Sequence, residues 1–558
     1  MRAALSSALL ALGGFLRVPR RMAALAVFVG VAALHLSLLP AQGLTDDDDF
    51  YVPAAASYAS WLGQLVTAPG QALTQARIDA AFRPNHEHPP GAKLVMGVTG
   101  AVLHDGLGIL GKLDGARAGV ALLAALLMAV LVLWLWGPLG PATALAAPAL
   151  LLSLPRFFFH SEVATLDVPV ACAVVVVCAA FFWAEKSPRW ALACGVLFGL
   201  ALLVKLNAPF AVFPCALWAL ALRWRGFSVS GGAVGLPPIP RALVWMALLG
   251  PLLFLTLWPW LWFDTAERLG AYLAFHLRHY PILLFYEGEV WEDPVAPWHA
   301  PLVLGFGAMP VTVAALGLLG LGRAAVALRR AVQGADDTGE AAEVSPGDRL
   351  RALVLLQAGF AIGIVAFLNV PKYGGEKLFM PFFPLWCVLA ADGLALLVRA
   401  LAVLAPRLPT GASMPVALAL ALAPGLWGTV KHHGGFALSY YGELAGGLRG
   451  VTARGYERTY YDVADKELAR LLEREARGLS VHFEPNHKEY VRTYRWLEAD
   501  GVIAAVRLVK ERARADLVVL THERRWSSYP ALLAELEGLT PIAEKRIDGV
   551  PLWTVYRR

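Results

Sequence analysis

Hydrophobic positions along this chain fall in long unbroken runs rather than in one-sided stripes. Runs of roughly 17–25 apolar residues alternate with short polar connectors, and that length crosses a bilayer as a helix. About eleven runs are placed near residues 22–40, 117–136, 138–155, 165–184, 190–205, 208–222, 242–262, 300–322, 353–370, 378–398 and 413–430. Backbone groups inside lipid must be satisfied within their own segment, so the runs are expected to be helices. The period-two alternation of a membrane β-barrel is not seen. The pattern predicts an all-α polytopic membrane protein.

The last part of the chain reads differently. Residues 462–477 (DVADKELARLLEREAR) have the spacing of an amphipathic helix. VHFEP, ADLVVLTHE and VPLWTVYRR read as short strands. Together they predict a small soluble α/β domain. The expected division is a transmembrane domain over 1–430, whose first outer loop spans about 41–116, and an outer-face region over 431–558.

Composition agrees with a membrane protein. The 558 residues are 58% hydrophobic and 16% charged, with a mean hydropathy of +0.57. A soluble globular chain carries roughly 25% charged residues. The net charge of +6 is what basic cytoplasmic connectors produce, and it implies no nucleic-acid partner. Cys172, Cys178, Cys194, Cys215 and Cys387 all lie in apolar runs and read as small buried hydrophobes.

Lysine and arginine placement sets the expected orientation. With the N-terminus in the cytoplasm, the inside connectors hold Arg17, Arg20, Arg21, Lys186, Arg189, Arg223, Arg225, Arg323, Arg329, Arg330, Arg399 and Arg407. The first run then reads as a retained signal anchor. An odd number of spans puts residues 431–558 outside. Polar, small-residue stretches at 331–348 and 226–240 read as flexible connectors.

Four groups of ionisable residues fall on the outer side. LTDDDDFYVPAAASYASWL (44–62) presents four consecutive carboxylates, suited to general-base work or divalent-metal binding, or simply to a solvated face. The pattern behind them predicts an interfacial helix. RPNHEHPPGAKL (83–94) places Glu87, His88 and Lys93 around Pro89-Pro90, a rigid turn that suits a phosphate or metal site. RFFFHSEVATLDVP (156–169) puts His160, Glu162 and Asp167 near a span end, where an ionisable residue tends to face a polar cavity. Lys205 is near another outer end, either facing that cavity or snorkelling. Residues 263–299 carry His276, His279, Glu287, Glu289, Glu292 and Asp293 among aromatics. VPKYGGEK (370–377) offers Lys372, Tyr373 and Lys377 to an anion, or to interfacial anchoring.

In order and spacing these pieces resemble the C-type glycosyltransferase superfamily, in particular its bacterial dolichyl-phosphate-mannose-protein-mannosyltransferase-like members. Asp47-Asp48-Asp49-Phe50-Tyr51 is similar to the family's Asp-Glu-x-x-Tyr frame, with Asp48 in place of Glu. Glu87-His88-Pro89-Pro90-Gly91-Ala92-Lys93 resembles Glu-His-Pro-Pro-Leu-x-Lys, with Gly91 in place of Leu. TLDVP (165–169), KYGGEKLFMPFFP (372–384) and LSYYGELAGGLRGVTARGYERTYY (438–461) are similar to later family segments. The resemblance touches most of residues 22–461 and leaves the tail uncovered.

What the resemblance implies is inverting transfer of a sugar from a polyprenyl-phosphate donor to an acceptor hydroxyl on the outer face of a bacterial inner membrane. The acceptor is a protein, a lipid or a glycan. Asp47 is the implied base, with Asp48 the neighbouring choice. Glu87 and His88 are implied to position the donor phosphate or a divalent ion (Mg, Mn or Zn). Lys93, Lys205, Lys372, Tyr373 and Lys377 are candidates for the phosphate, and Asp167 for sugar hydroxyls. A lipid-linked oligosaccharide ligase or polymerase, and a multi-span transporter, are the competing readings. A transporter predicts internal repeats and midplane charges, and a ligase predicts a late catalytic loop.

Overall fold

The computed structural model describes residues 18–224, 228–230, 233–235, 237–333, 344–367, 369–404, 410–461, 463, 465–485, 487–499, 501, 503–504, 506–522, 530–536 and 538–558. Arg17, Arg225, Arg407 and most of the 331–348 connector lie outside the described residues.

The chain is an integral membrane protein of mostly helical fold. Among the described residues, seven helices are long and apolar enough to cross a membrane, namely 19–41, 112–135, 167–184, 311–333, 346–366, 382–404 and 413–431. Four shorter apolar helices cover 141–152, 188–202, 208–223 and 241–256. Each corresponds to one of the expected runs. Several begin on a proline, whose missing N–H costs nothing in a first turn. Pro19, Pro141, Pro188 and Pro346 are examples.

Two edges differ from expectation. The run at 300–322 is split, with Ala300–Gly307 ending before Pro310 and Val311–Gln333 starting a new helix. Proline cannot continue the ladder there. The first outer segment is mostly helix, over Asp46–Thr67 and Gly91–Gly100.

Small residues let helices approach closely. A Cβ at Gly320 would stand 1.9 Å from Leu389 O, and one at Gly393 would stand 2.0 Å from Leu316 O. Without a hydrophobic drive between helices in lipid, such backbone approach is a main source of packing.

The tail forms a five-stranded sheet in the order Arg507–Leu508, Ser480–Glu484, Leu517–Thr521, Val550–Arg557, Thr540–Ile547. The first three strands are parallel and the last two antiparallel. The expected amphipathic helix runs over Lys466–Glu475, started by the Asp465 carboxylate, which accepts from Glu467 N–H at 2.9 Å. A second helix, His487–Ala499, and the strand Thr540–Ile547 are additions to the expected elements.

Candidate active site

The four aspartates open the Asp46–Thr67 helix. A helix turns about 100° per residue, so four neighbours point in four directions. Thr45 caps the helix. Its hydroxyl accepts from Asp48 N–H at 3.4 Å, and the Asp48 carboxylate accepts from Thr45 N–H at 2.9 Å.

Asp48 points into the core and is 1% exposed. Its Oδ2 accepts from Arg117 Nη2 at 2.5 Å, and its Oδ1 accepts from Arg117 Nε at 3.1 Å and Ala164 N–H at 2.9 Å. Both oxygens are therefore occupied, and Asp48 does not reach the cavity described below. This corrects the expectation that it shares the catalytic position with Asp47.

Asp49 faces the tail. It accepts from Trp496 Nε1 at 2.9 Å and pairs with Arg492 at 2.7 Å. Replacing Trp496 with Phe removes that hydrogen bond and shrinks the ring that Lys112 Nζ overlies at 5.4 Å, an expected cost of at least about 1 kcal/mol. Limited proteolysis of the tail should then run at least roughly fivefold faster, since cleavage follows the open population.

Asp46 and Asp47 line a cavity of about 520 Å³, together with Tyr51, Glu87, His88, His279, Tyr373, Lys377, Tyr460 and Tyr461. Asp47 Oδ2 accepts from Lys377 Nζ at 2.9 Å and from Tyr461 OH at 2.6 Å. Both bonds fall on the same oxygen. Oδ1 takes no hydrogen bond among the described residues and remains available at the cavity wall.

Behind Tyr461 lies Asp167. Its Oδ1 accepts from Lys205 Nζ at 2.6 Å, and its Oδ2 stands 3.5 Å from Tyr461 OH. A phenol has one proton, so Tyr461 gives it to Asp47 at 2.6 Å rather than to Asp167 at 3.5 Å. Lys205 is thus ion-paired rather than snorkelling. A second row supports the first. His160 Nε2 meets Tyr460 OH at 2.5 Å, Tyr460 OH donates to Glu376 at 2.8 Å, and Arg156 Nη1 donates to Glu376 at 2.9 Å.

Charge balance follows the geometry. Burial opposes the Lys377 ammonium, but Asp47, Asp167 and Asp46 outweigh it, so its proton is held more tightly than in water. Burial pushes the Tyr461 phenol well above its usual range, reinforced by Asp47 and Asp167. His88 is pushed down by burial and then by Lys93, and burial takes His276 down to about 4. Both imidazoles are neutral at pH 7.

The Glu87 turn reaches the cavity from the opposite side. Glu87 accepts from Asn85 Nδ2 at 2.9 Å, and His276 Nε2 meets Glu87 O at 3.0 Å. Lys93 is not a phosphate ligand here. Its fully buried ammonium donates to Asn85 O at 2.6 Å, Asn85 Oδ1 at 2.8 Å and His88 O at 2.9 Å. It ties the turn together around Asn85, whose φ is +55°. Gly91 also has a local reason. Its N–H donates to Leu203 O at 2.7 Å, and a Cβ would stand 2.8 Å from that oxygen. Leucine at this position would push the turn away from the segment that carries Lys205.

Lys372 is likewise turned aside. Its ammonium donates to Phe367 O and Val370 O, both at 2.9 Å. Tyr373 and Lys377 from the same loop do line the cavity. Glu162, expected beside Asp167, instead meets His35 at 3.0 Å.

Among the described residues, no group of three or more His, Cys, Asp or Glu side chains is arranged to hold a metal ion. Glu87 and His88 therefore form no three-ligand set of their own there.

The chief residues that sequence reasoning left out are Tyr461, Tyr460 and Arg117. Tyr461 is 414 positions from Asp47, a separation no spacing rule bridges. The available signal was the tyrosine pair closing the 438–461 segment.

A family model described as dolichyl-phosphate-mannose-protein mannosyltransferase matches residues 88–260. The chain thus resembles polytopic membrane glycosyltransferases that work with lipid-linked sugars. Among solved structures it is similar to ArnT from Cupriavidus metallidurans in the apo state, at 17% identity and a TM-score of 0.47, covering 95% of this chain and 97% of that one. For the same protein bound to undecaprenyl phosphate the TM-score is 0.45, with the same identity and coverage. The oligosaccharyltransferase AglB from Archaeoglobus fulgidus, in complex with an inhibitory peptide and a dolichol-phosphate, is similar at 12% identity and a TM-score of 0.44. That match covers 95% of this chain and 74% of the other. No curated protein sequence matches the chain.

Proposed function

We propose that this protein transfers a sugar from a polyprenyl-phosphate donor to an acceptor hydroxyl, with inversion at the anomeric carbon. The observation that carries the reading is Asp47. One of its oxygens is held by Lys377 and Tyr461, and the other is open to a cavity of about 520 Å³.

The acceptor hydroxyl gives its proton to Asp47 Oδ1 as its oxygen attacks the anomeric carbon. The bond from that carbon to the phosphate oxygen breaks, and the lipid phosphate leaves with the electron pair. The leaving group is already a weak base, so it needs a cation more than a proton. Lys377 supplies that cation at the cavity wall. In the ligand-free site it pairs with Asp47 Oδ2, so an arriving phosphate draws it away and makes the carboxylate a stronger base. Tyr461 keeps Asp47 in place throughout. Asp167, anchored by Lys205, adds negative charge that holds the Lys377 ammonium. Glu87, His88 and Tyr373 line the wall where sugar hydroxyls are held. No step passes through a divalent ion.

The proposed setting is a bacterial inner membrane, with the N-terminus cytoplasmic, the cavity on the outer face and residues 431–558 periplasmic. Membrane lipids surround the apolar helices of the transferase domain. The acceptor is a hydroxyl of protein, lipid or glycan.

The test is an assay of the purified chain with radiolabelled hexose and pentose polyprenyl phosphates and a panel of acceptors. The expected result is a glycosidic product of inverted anomeric configuration, together with free lipid phosphate. Turnover should persist in excess EDTA, because Glu87 and His88 form no three-ligand set among the described residues. Loss of turnover in EDTA with recovery on adding Mg²⁺ or Mn²⁺ would overturn the metal-free step. Retained anomeric configuration would overturn the single displacement.

A further inference from the structure

A second built cavity lies at the far end of the membrane helices from Asp47. Helix Asp167–Ala184 starts beside the catalytic cavity and ends at this one. Its 18 residues span about 27 Å at 1.5 Å per residue, close to the thickness of a bilayer core. The cavity measures about 310 Å³ and sits where four helix ends meet, lined by Glu185, Lys186, Trp218, Arg223 and Arg241.

Among the described residues its lining charges do not balance. Glu185 is the carboxylate in the lining, and it is already shared by two guanidinium groups. Arg223 Nη2 donates to it at 3.1 Å and Arg349 Nη1 at 2.8 Å. Lys186 and Arg241 have no side-chain partner among the described residues. One wall is the Trp218 indole, locked by its hydrogen bond to Arg349 O at 2.7 Å. On the two helices that begin at the cavity, Pro188–Leu202 and Arg241–Thr256, Trp190 and Val244 are exposed at 40% and 44% in their first turns.

A cationic pocket at the end of membrane helices, bordered by exposed apolar side chains, matches an amphiphile with an anionic head. We infer that this cavity binds the headgroup of an anionic phospholipid from the leaflet opposite the catalytic cavity. Arg241, Lys186 and Arg223 hold the phosphate, and the acyl chains run along Trp190 and Val244. Three cations in the lining, Lys186, Arg223 and Arg241, against the one lining carboxylate among the described residues favour an added anion, at about 1 kcal/mol per basic residue near the surface. This inference does not depend on the glycosyltransferase reading.

The test uses the full chain in detergent, titrated with phosphatidylglycerol or phosphatidylcholine and read by native mass spectrometry and thermal melting. One phosphatidylglycerol should be retained at least tenfold more strongly than phosphatidylcholine, with a higher melting temperature. K186Q with R241Q, both at exposed positions, should lower that retention roughly thirtyfold. Equal retention of the two lipids would overturn the proposal. So would retention unchanged by the double substitution, or equal protection by inorganic phosphate, which would identify a free-anion site instead. Should the double variant fold poorly, the lipid comparison on the unsubstituted chain still decides.

Discussion

Asp47→Asn should lower turnover by about 10²–10⁴-fold while leaving the melting temperature of the purified protein nearly unchanged. Asparagine keeps the shape of the side chain and can still accept from Lys377 and Tyr461, which bond a single oxygen at 2.9 and 2.6 Å. It cannot take a proton from the acceptor. The effect should therefore fall on the chemical step, with the donor KM changed much less. Tyr461→Phe gives the graded counterpart. It keeps the ring and removes the bond that orients Asp47, so turnover should fall by less than in Asp47→Asn. Full activity in Asp47→Asn would remove the assigned base and the mechanism with it.

Asp48→Asn should fail in a different way, by about 3–5 kcal/mol of stability. Arg117 is fully buried, and Asp48 is its close counter-ion, since Asp114 stands at 3.6 Å against 2.5 Å. Neutralising Asp48 leaves a guanidinium in the interior without that partner. The measurement is thermal melting in detergent, together with the yield of folded protein. Pairing Asp48→Asn with Arg117→Met should recover a large part of the loss, because the isolated charge is then gone. A single variant as stable as the unsubstituted chain would mean that the ion pair is not what holds the helix start. Two neighbouring acids thus separate into one whose loss stops turnover and one whose loss unfolds the site.

The Asp46–Asp49 run illustrates what could and could not be read in advance. Four carboxylates after an apolar run suggest either a solvated face or a site. Neither reading distinguishes them individually. The helix begun by Thr45 does so, because its rotation sends Asp47 to the cavity, Asp48 to the core and Asp49 to the tail. The lysines show the same limit. Lys93, Lys205, Lys372 and Lys377 are equivalent as cations beside a phosphate. Lys93 and Lys372 instead close their own loops through backbone carbonyls, and Lys205 meets Asp167. Lys377 alone among these four combines a place on the cavity wall with a bond to Asp47.

What the sequence determined by itself was the membrane character, the place of the apolar helices and the small sheet at the end. These rest on local physics. An apolar run has to close its own hydrogen bonds in lipid, and alternating short segments form strands wherever they pair. The composition of the site was decided by tertiary structure. Asp47, Lys377 and Tyr461 come from three distant segments, and which oxygen each one touches depends on helix rotation and on competing partners. Charge type and spacing carry no information about either.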